Sequence, residues 1–302
     1  MTGLINFYKP PGMTSAQAVA FIKRLTRTKT GHAGTLDPEA AGVLPILLGR
    51  ATRISEHLMA MPKQYLAEIA FGAATDTQDA QGLVIARGDR YPDLDSLRAA
   101  LPAFQGAVSQ LPPQYSALKV DGKTAYQLAR AGKQAKLQPR EVWFESIQVL
   151  RAMPNQGFLL RVRCGKGAYI RTLCHDLGDA LGCPAHLRFL LREESGGLLL
   201  AGSRTPEEVR VWAEGGCKTD QSMLLPVATA LGRLPRVQVP DHLLRPAING
   251  VALPIAEFPG FDKTNQHQAL LFAGERLVGL FRRAGDLLRV DVMFYEPESG
   301  KK

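Results

Sequence analysis

The sequence predicts an α+β protein: a mixed β-sheet with flanking helices, followed by a small β module. Three observations lead there. Apolar residues recur at helical spacing behind capping residues, as in Ala18, Val19, Ile22 and Leu25 after Thr14 and Ser15. Other stretches alternate with a period of two, as from Gln64 to Phe71 and from Phe158 to Cys164. Beyond Leu234 the pattern loosens between Pro235 and Pro240. Three short strand-like runs follow, Ala269 to Phe272, Arg276 to Arg282 and Leu287 to Tyr295, with turns at Gly274 and Ala284-Gly285. A chain of 302 residues with 45% apolar content supports about two domains and a sizeable core. The expected division is 1–233 and 236–302.

The elements follow in order. Leu4 to Tyr8 is a β-type run that Lys9-Pro10-Pro11-Gly12 stops. The helix capped by Thr14 and Ser15 gathers Lys23, Arg24, Arg27 and Lys29 at its later turns. Cations suit the dipole there, and phosphate contact is the alternative use. Arg50 to His57 is read as a helix. In the Gln64 to Phe71 strand, Tyr65 shares a face with Ala67 and Ile69, and spacing alone makes it a packing residue. Asp76, Asp79 and Gly82 mark a hairpin turn rather than a metal loop, and Leu94 to Leu101 a further helix. After the strand carrying Arg161 and Arg163, Gly165-Lys166-Gly167 leads into a helix beginning at Tyr169. Its buried stripe is Ile170, Leu173, Cys174, Leu177 and Leu181, and Gly182 ends it. Arg171 on the first turn opposes the positive end of the dipole and calls for a carboxylate or phosphate partner. His186 to Leu191 is strand-like, and Thr205-Pro206-Glu207-Glu208 is a capping box with proline at the first helical position.

Chemistry is concentrated between Gly31 and Pro45, GHAGTLDPEAAGVLP. Gly31, Gly34 and Gly42 permit positive φ and close approach, while Pro38 steers Asp37 away from helical geometry, so its carboxylate projects from a bend. With His32 five residues upstream, three readings stand: a nucleophile with a positioning residue, half of a metal site, or a hydrogen-bonded turn.

Composition bears on the choice. A formal net charge of +9 attracts polyanions, with nucleic acid the leading partner class. No uninterrupted apolar run is long enough to span a bilayer and residues 1–12 lack a signal-peptide pattern, so cytoplasmic residence is expected. Cys164, Cys174, Cys183 and Cys217 form no CxxC pair and read as free thiols. His175 beside Cys174 reads as a helix-surface histidine. Between residues 111 and 140, Lys119, Lys123, Arg130, Lys133, Lys136 and Arg140 face a single acid, Asp121, with Tyr115 and Tyr126 interleaved. Aromatics among cations suit stacking and phosphate contact with an unpaired strand, and the segment is read as a protruding nucleic-acid-binding insertion.

Taken together, these segments resemble the TruB family of pseudouridine synthases. INFYKPPGMTS, GHAGTLDPEAAGVLPILLGRATR, KQYLAEIAFGAATDTQDAQG, PPQYSALKVDGKTAYQLAR and KGAYIRTLCHDLG match its segments in order, over residues 3 to about 192. Residues 236–302 resemble the family's small PUA-like RNA-binding module. Two departures stand out: Leu191 where the family usually carries a base, and Glu193-Glu194 where uncharged residues are expected.

The resemblance implies isomerisation of one uridine in the TΨC arm of tRNA, at position 55. The glycosidic C–N bond breaks, the base turns, and it is rejoined through carbon. Asp37 is then the catalytic carboxylate, attacking base or sugar or starting an elimination, and Arg171 pairs with it. Such a uridine must leave its stack before any carboxylate can reach it. The resemblance makes Tyr65 the stacking aromatic, sets His32 near the vacated position, and lines the pocket with Tyr169 and Leu190. A redox-neutral isomerisation implies neither cofactor nor metal. The basic insertion and the terminal module favour action on the tRNA TΨC stem-loop without guide RNA or protein partner. The competing readings are a non-catalytic RNA chaperone and a guide-dependent enzyme.

Overall fold

The computed structural model describes the chain apart from residues 117, 121, 155, 218–221, 263–265 and 296–302 and the side chains of residues 119, 123, 126, 130 and 262. Strand β1 (Gly3–Lys9) leads through the Pro-Pro-Gly turn to helix α1 (Ser15–Thr26), which Thr14 and Gln17 close with a reciprocal capping box. Strands β2 (Thr30–His32) and β3 (Ala41–Leu48) bracket the Asp37 loop. A 3₁₀ turn (Gly49–Ile54) and helix α2 (Ser55–Ala60) occupy the stretch expected to be one helix from Arg50 to His57. Then come β4 (Lys63–Phe71), the hairpin β5 (Ala73–Thr75) and β6 (Val84–Arg87), α3 (Leu94–Ala100) and β7 (Gly106–Gln110). The basic insertion folds into a short hairpin, β8 (Lys119–Val120) with β9 (Lys123–Thr124), and helix α4 (Ala125–Arg130). Asp121 and the side chains of Lys119, Lys123, Tyr126 and Arg130 lie outside the described residues. Strands β10 (Arg140–Met153) and β11 (Gly157–Cys164), helix α5 (Ile170–Ala180), β12 (Ala185–Ser195), β13 (Leu198–Leu199), α6 (Pro206–Glu214) and α7 (Val227–Ala230) complete this part.

The large sheet runs β1-β3-β12-β4-β11-β10-β7, with β2 on β3 and β13 on β12. It is mixed because β12 pairs parallel with β3 and antiparallel with β4. β3 is not among the expected strands, and it carries Pro45, a residue that central strands rarely hold. All eight of its residues are nevertheless buried, and the proline carbonyl still accepts a hydrogen bond from Ala33 N at 3.0 Å. Helices α1 and α5 supply Ala18, Ile22, Ile170, Leu173 and Leu177 to the core beside Phe7, Ile46 and Ala67.

The acids that departed from the family pattern have partners on the sheet. Glu193 receives Arg161 Nε at 3.0 Å, and Glu194 receives Arg163 Nη1 at 2.7 Å. The two arginines foreseen on one face of β11 are thus neutralised by acids of β12, which reach them across β4.

A second, five-stranded sheet is ordered β14 (Arg236–Gln238), β16 (Gln268–Ala273), β17 (Arg276–Ala284), β18 (Leu287–Met293) and β15 (Leu253–Pro254). Helices α8 (Asp241–Ile248) and α9 (Pro259–Asp262) accompany it, so this module holds more than the three strands read from sequence. Pro246 inside α8 disguised the helical signal.

Candidate active site

Asp37 stands just ahead of a tight turn in which Ala40 N donates to Asp37 O at 3.1 Å, with Pro38 at the corner. The loop is pinned from several sides. Ser15 Oγ at the start of α1 donates to Leu36 O at 3.1 Å and accepts from Leu36 N at 2.9 Å. Gly12 N donates to Pro38 O at 3.0 Å. Lys9, fully buried at the end of β1, donates from Nζ to the carbonyls of Pro10, Met13 and Pro38 at 2.9, 2.7 and 2.9 Å. Of the three loop glycines, Gly34 and Gly42 take positive φ, whereas Gly31 lies within β2. Gly42 is required on contact grounds as well, since a Cβ there would stand 2.3 Å from Arg192 O.

Arg171 reaches this loop from the first turn of α5. Its Nη2 donates to Asp37 Oδ1 at 3.0 Å, and Nε lies 2.9 Å from Oδ2 with its N–H out of line, so the grip is one hydrogen bond reinforced by a close ion contact. Arg171 is 4% exposed and Asp37 is 38% exposed. The cation is thus sequestered while the carboxylate faces an open cleft. Nη1 donates to Thr77 O at 3.0 Å and Nη2 also to Tyr115 O at 2.9 Å, and Asp79 Oδ2 stands 3.8 Å from Nη1. The carboxylate partner that the helix dipole called for is Asp37.

The cleft, about 250 Å³, is lined by Asp37, Arg171 and Leu190 together with Glu39, Asp79, Phe189 and their neighbours. His32, Tyr65 and Tyr169 are not in its lining. His32, on β2, is half-buried with Nδ1 unpartnered, and burial, reinforced by Arg192, pulls its pKa down. Tyr65 is buried in the core on β4. Burial pushes its phenol up, and it is close enough to Arg192 and Asp37 to feel both charges. Tyr169 caps α5 and is tied reciprocally to Gln110: its N–H donates to Oε1 at 3.0 Å and its carbonyl accepts from Nε2 at 3.2 Å. Arg140, one of the basic-segment cations, lies over its ring at 4.9 Å.

The residues that sequence reasoning missed are mostly cations beneath the loop. Arg192, 1% exposed, donates to the carbonyls of Val43, Gly34 and Thr35 at 2.7, 3.0 and 3.4 Å. Lys63 is buried and donates to the carbonyls of Met59 and Met61. Burial lowers the pKa of Lys9 and of Lys63 to about 8 in each case. A cation inside an apolar strand was the available signal, but its partners are backbone carbonyls, distant in sequence for Arg192 and for the Lys9 contact to Pro38, and within four residues for Lys63. Asp79 was read purely as a turn residue, which it also is, accepting from Gln81 N at 3.0 Å. Among the described residues no cluster of His, Cys, Asp and Glu is placed to hold a metal ion. His175 instead faces Asp176 and Asp179 at 3.6 and 3.4 Å, and the four cysteines are free.

A buried arginine gripping an exposed aspartate on a glycine-bent loop coincides with what comparison with known proteins finds. Residues 23–170 match the model of the TruB family pseudouridylate synthase N-terminal domain, and residues 171–232 that of the tRNA pseudouridylate synthase B C-terminal domain. A tRNA pseudouridine synthase B of Symbiobacterium thermophilum is 46% identical over 83% of this chain and 82% of its own. That of Geobacillus thermodenitrificans is 41% identical over 91% and 92%. Among solved structures, a Cbf5-Nop10-Gar1 complex is similar over 97% of this chain and 85% of that chain, with 27% identity and a TM-score of 0.75. From the loop geometry, both family models and these relatives, the chain belongs to the TruB family of pseudouridylate synthases.

Proposed function

We propose that this chain converts the uridine at position 55, in the TΨC arm of tRNA, to pseudouridine by an Asp37-dependent reaction on a flipped-out base, without guide RNA or protein partner. The coarser activity, isomerisation of uridine to pseudouridine in tRNA, is that of its family. The observation that carries the finer reading is the Asp37–Arg171 pair. A carboxylate at the wall of a cleft of about 250 Å³, too small for folded RNA, requires the reacting base to come out of its stack. The guanidinium holds the carboxylate in one orientation and offsets the cost of keeping its charge in a closed site.

In this reading Tyr65 stacks on the extruded base, Leu190 closes one side of it, and His32 and Tyr169 meet the RNA around the vacated position. The place of Tyr65 in one apolar cluster with Leu36 and Leu190, and of Leu190 in the cleft, supports these roles. We assign residues 1–233 to the catalytic part, with the 111–140 insertion contacting the tRNA, and 236–302 to a PUA-like RNA-binding module. The second sheet beginning at Arg236 supports that division. No helix among the described residues is long and apolar enough to cross a membrane, which is compatible with action in the cytoplasm.

The test is mass spectrometry of an unmodified tRNA transcript after incubation with purified protein alone, with cyanoethylation tagging pseudouridine. Wild type should tag one uridine of the TΨC arm, and Asp37→Asn should tag none while binding the transcript nearly as tightly. Turnover by the Asn variant, or a requirement for added RNA, would overturn the reading.

A further inference from the structure

β12 is paired along both edges, and a strand so placed sends successive side chains to opposite faces. Near the cleft this alternation fails. Leu187 pairs with Ile69 but Phe189 pairs with Glu68, leaving Arg188 as an extra residue in a β-bulge. In consequence Leu187, Arg188, Phe189 and Leu190, four residues in a row, all line the cleft beside Asp37. Their fates differ. Leu187 and Leu190 are buried, Arg188 is held by Glu68 at 3.0 Å, and Phe189 is 42% exposed. A large aromatic ring is thus turned toward solvent at the mouth of the cleft that holds the reactive carboxylate.

What could cover that ring is narrowed by its neighbours. The cleft also presents the carboxylates of Asp37, Glu39 and Asp79, while its two cations, Arg171 and Arg188, are already engaged with acids. Phosphate is therefore disfavoured there, and a flat, uncharged ligand face suits the site. In that functional reading the cleft takes the reacting base. The bases on either side of it in the strand remain at the mouth.

We propose that Phe189 is a stacking platform for a nucleobase bordering the uridine presented to Asp37, an inference that rests on the functional reading above. Stacking on an aromatic face tolerates any base and is worth about 5- to 100-fold in binding for a single nucleotide. Phe189 holds the flanking nucleotide in place while its neighbour occupies the cleft.

The experiment compares wild type, Phe189→Leu and Phe189→Tyr on a TΨC stem-loop RNA, intact or with an abasic nucleotide immediately 5′ or 3′ of the target uridine. The Leu variant should lose about 5- to 100-fold in kcat/KM on intact RNA, chiefly through KM, and the Tyr variant should lose little. Removing the base at one of the two flanking positions should cost wild type a similar factor and the Leu variant nothing further. Equal rates for the Leu variant and wild type would overturn the proposal, as would independent, multiplying losses at both flanking positions. So would a fall in unfolding temperature that accompanies the loss of activity, because that is lost packing. Failure of wild type to form pseudouridine at all would refute the functional reading instead.

Discussion

Two buried arginines approach the Asp37 loop from opposite sides and are satisfied in opposite ways. Arg171, from α5, spends its charge on a carboxylate that remains open to the cleft. Arg192, from β12, has no carboxylate partner among the described residues and donates to two loop carbonyls, of Gly34 and Thr35, and to that of Val43 in β3. One guanidinium aims an acid, and the other fixes the backbone that carries it. The contrast extends to Lys9 and Lys63, which also serve carbonyls, so three cations gather at the underside of the loop with no buried acid among the described residues to balance them. Burial is the main cause of the lowered lysine pKa values, and in both the nearby Arg192 charge pushes the same way.

If Arg192 is chiefly a backbone clamp, its loss should be the larger structural injury. Arg192→Met leaves the carbonyls of Gly34, Thr35 and Val43 without that donor, and unfolding in guanidinium chloride should show about 3 kcal/mol of lost stability. A loss under about 1 kcal/mol would erase the distinction between the two arginines. Arg171→Lys should behave the other way. The positive charge stays but the fork geometry goes, so kcat/KM should fall about thirtyfold, equivalent to about 2 kcal/mol, with a smaller change in unfolding midpoint than in the Arg192 variant.

The last effect is on the pH dependence. Lys9 and Lys63 bind protons less readily when folded, at about 8, than the ordinary 10.5 of an unfolded lysine. Between those values the unfolded chain carries more protons, so stability should rise with pH across that window and fall back as pH drops toward 8. Replacing Lys63 by Met should flatten the rise measured by denaturant titration at pH 8 and pH 10, and an unchanged slope would show that the lysine does not titrate in this way.

How much of this could be read without coordinates depended on where the partner lay. The caps of α1 and α6, the alternation of β11 and the stripe of α5 are local, and each stands within a residue or two of its expected place. Arg171 announced a missing anion through its clash with the dipole, and Asp37 was already conspicuous in its loop. Arg192 and Lys9 gave no such signal, because their acceptors are backbone carbonyls, and any residue type supplies a carbonyl. β3 carries Pro45, which central strands rarely hold, and the outward turn of Phe189 was hidden by a bulge that depends on pairing with β4. Tyr65 marks the difference between type and position: its spacing showed which face it takes, and its depth beside Arg192 came from the fold.

The second sheet is not simply strung behind the first. Leu270, Phe272, Leu280 and Val292 share one apolar cluster with Leu4, Leu47 and Ala33, the last of these lying between His32 and Gly34. Arg50 Nη1 adds a hydrogen bond to Tyr295 O at 3.0 Å, and His57 faces Asp291 at 3.4 Å. The loop that presents Asp37 therefore leans at its back against the carboxy-terminal module, as a blade leans on its handle. Cutting the chain after residue 233 would bare a greasy face directly behind the blade and loosen Asp37 from a distance, even for an RNA that never touches the missing part.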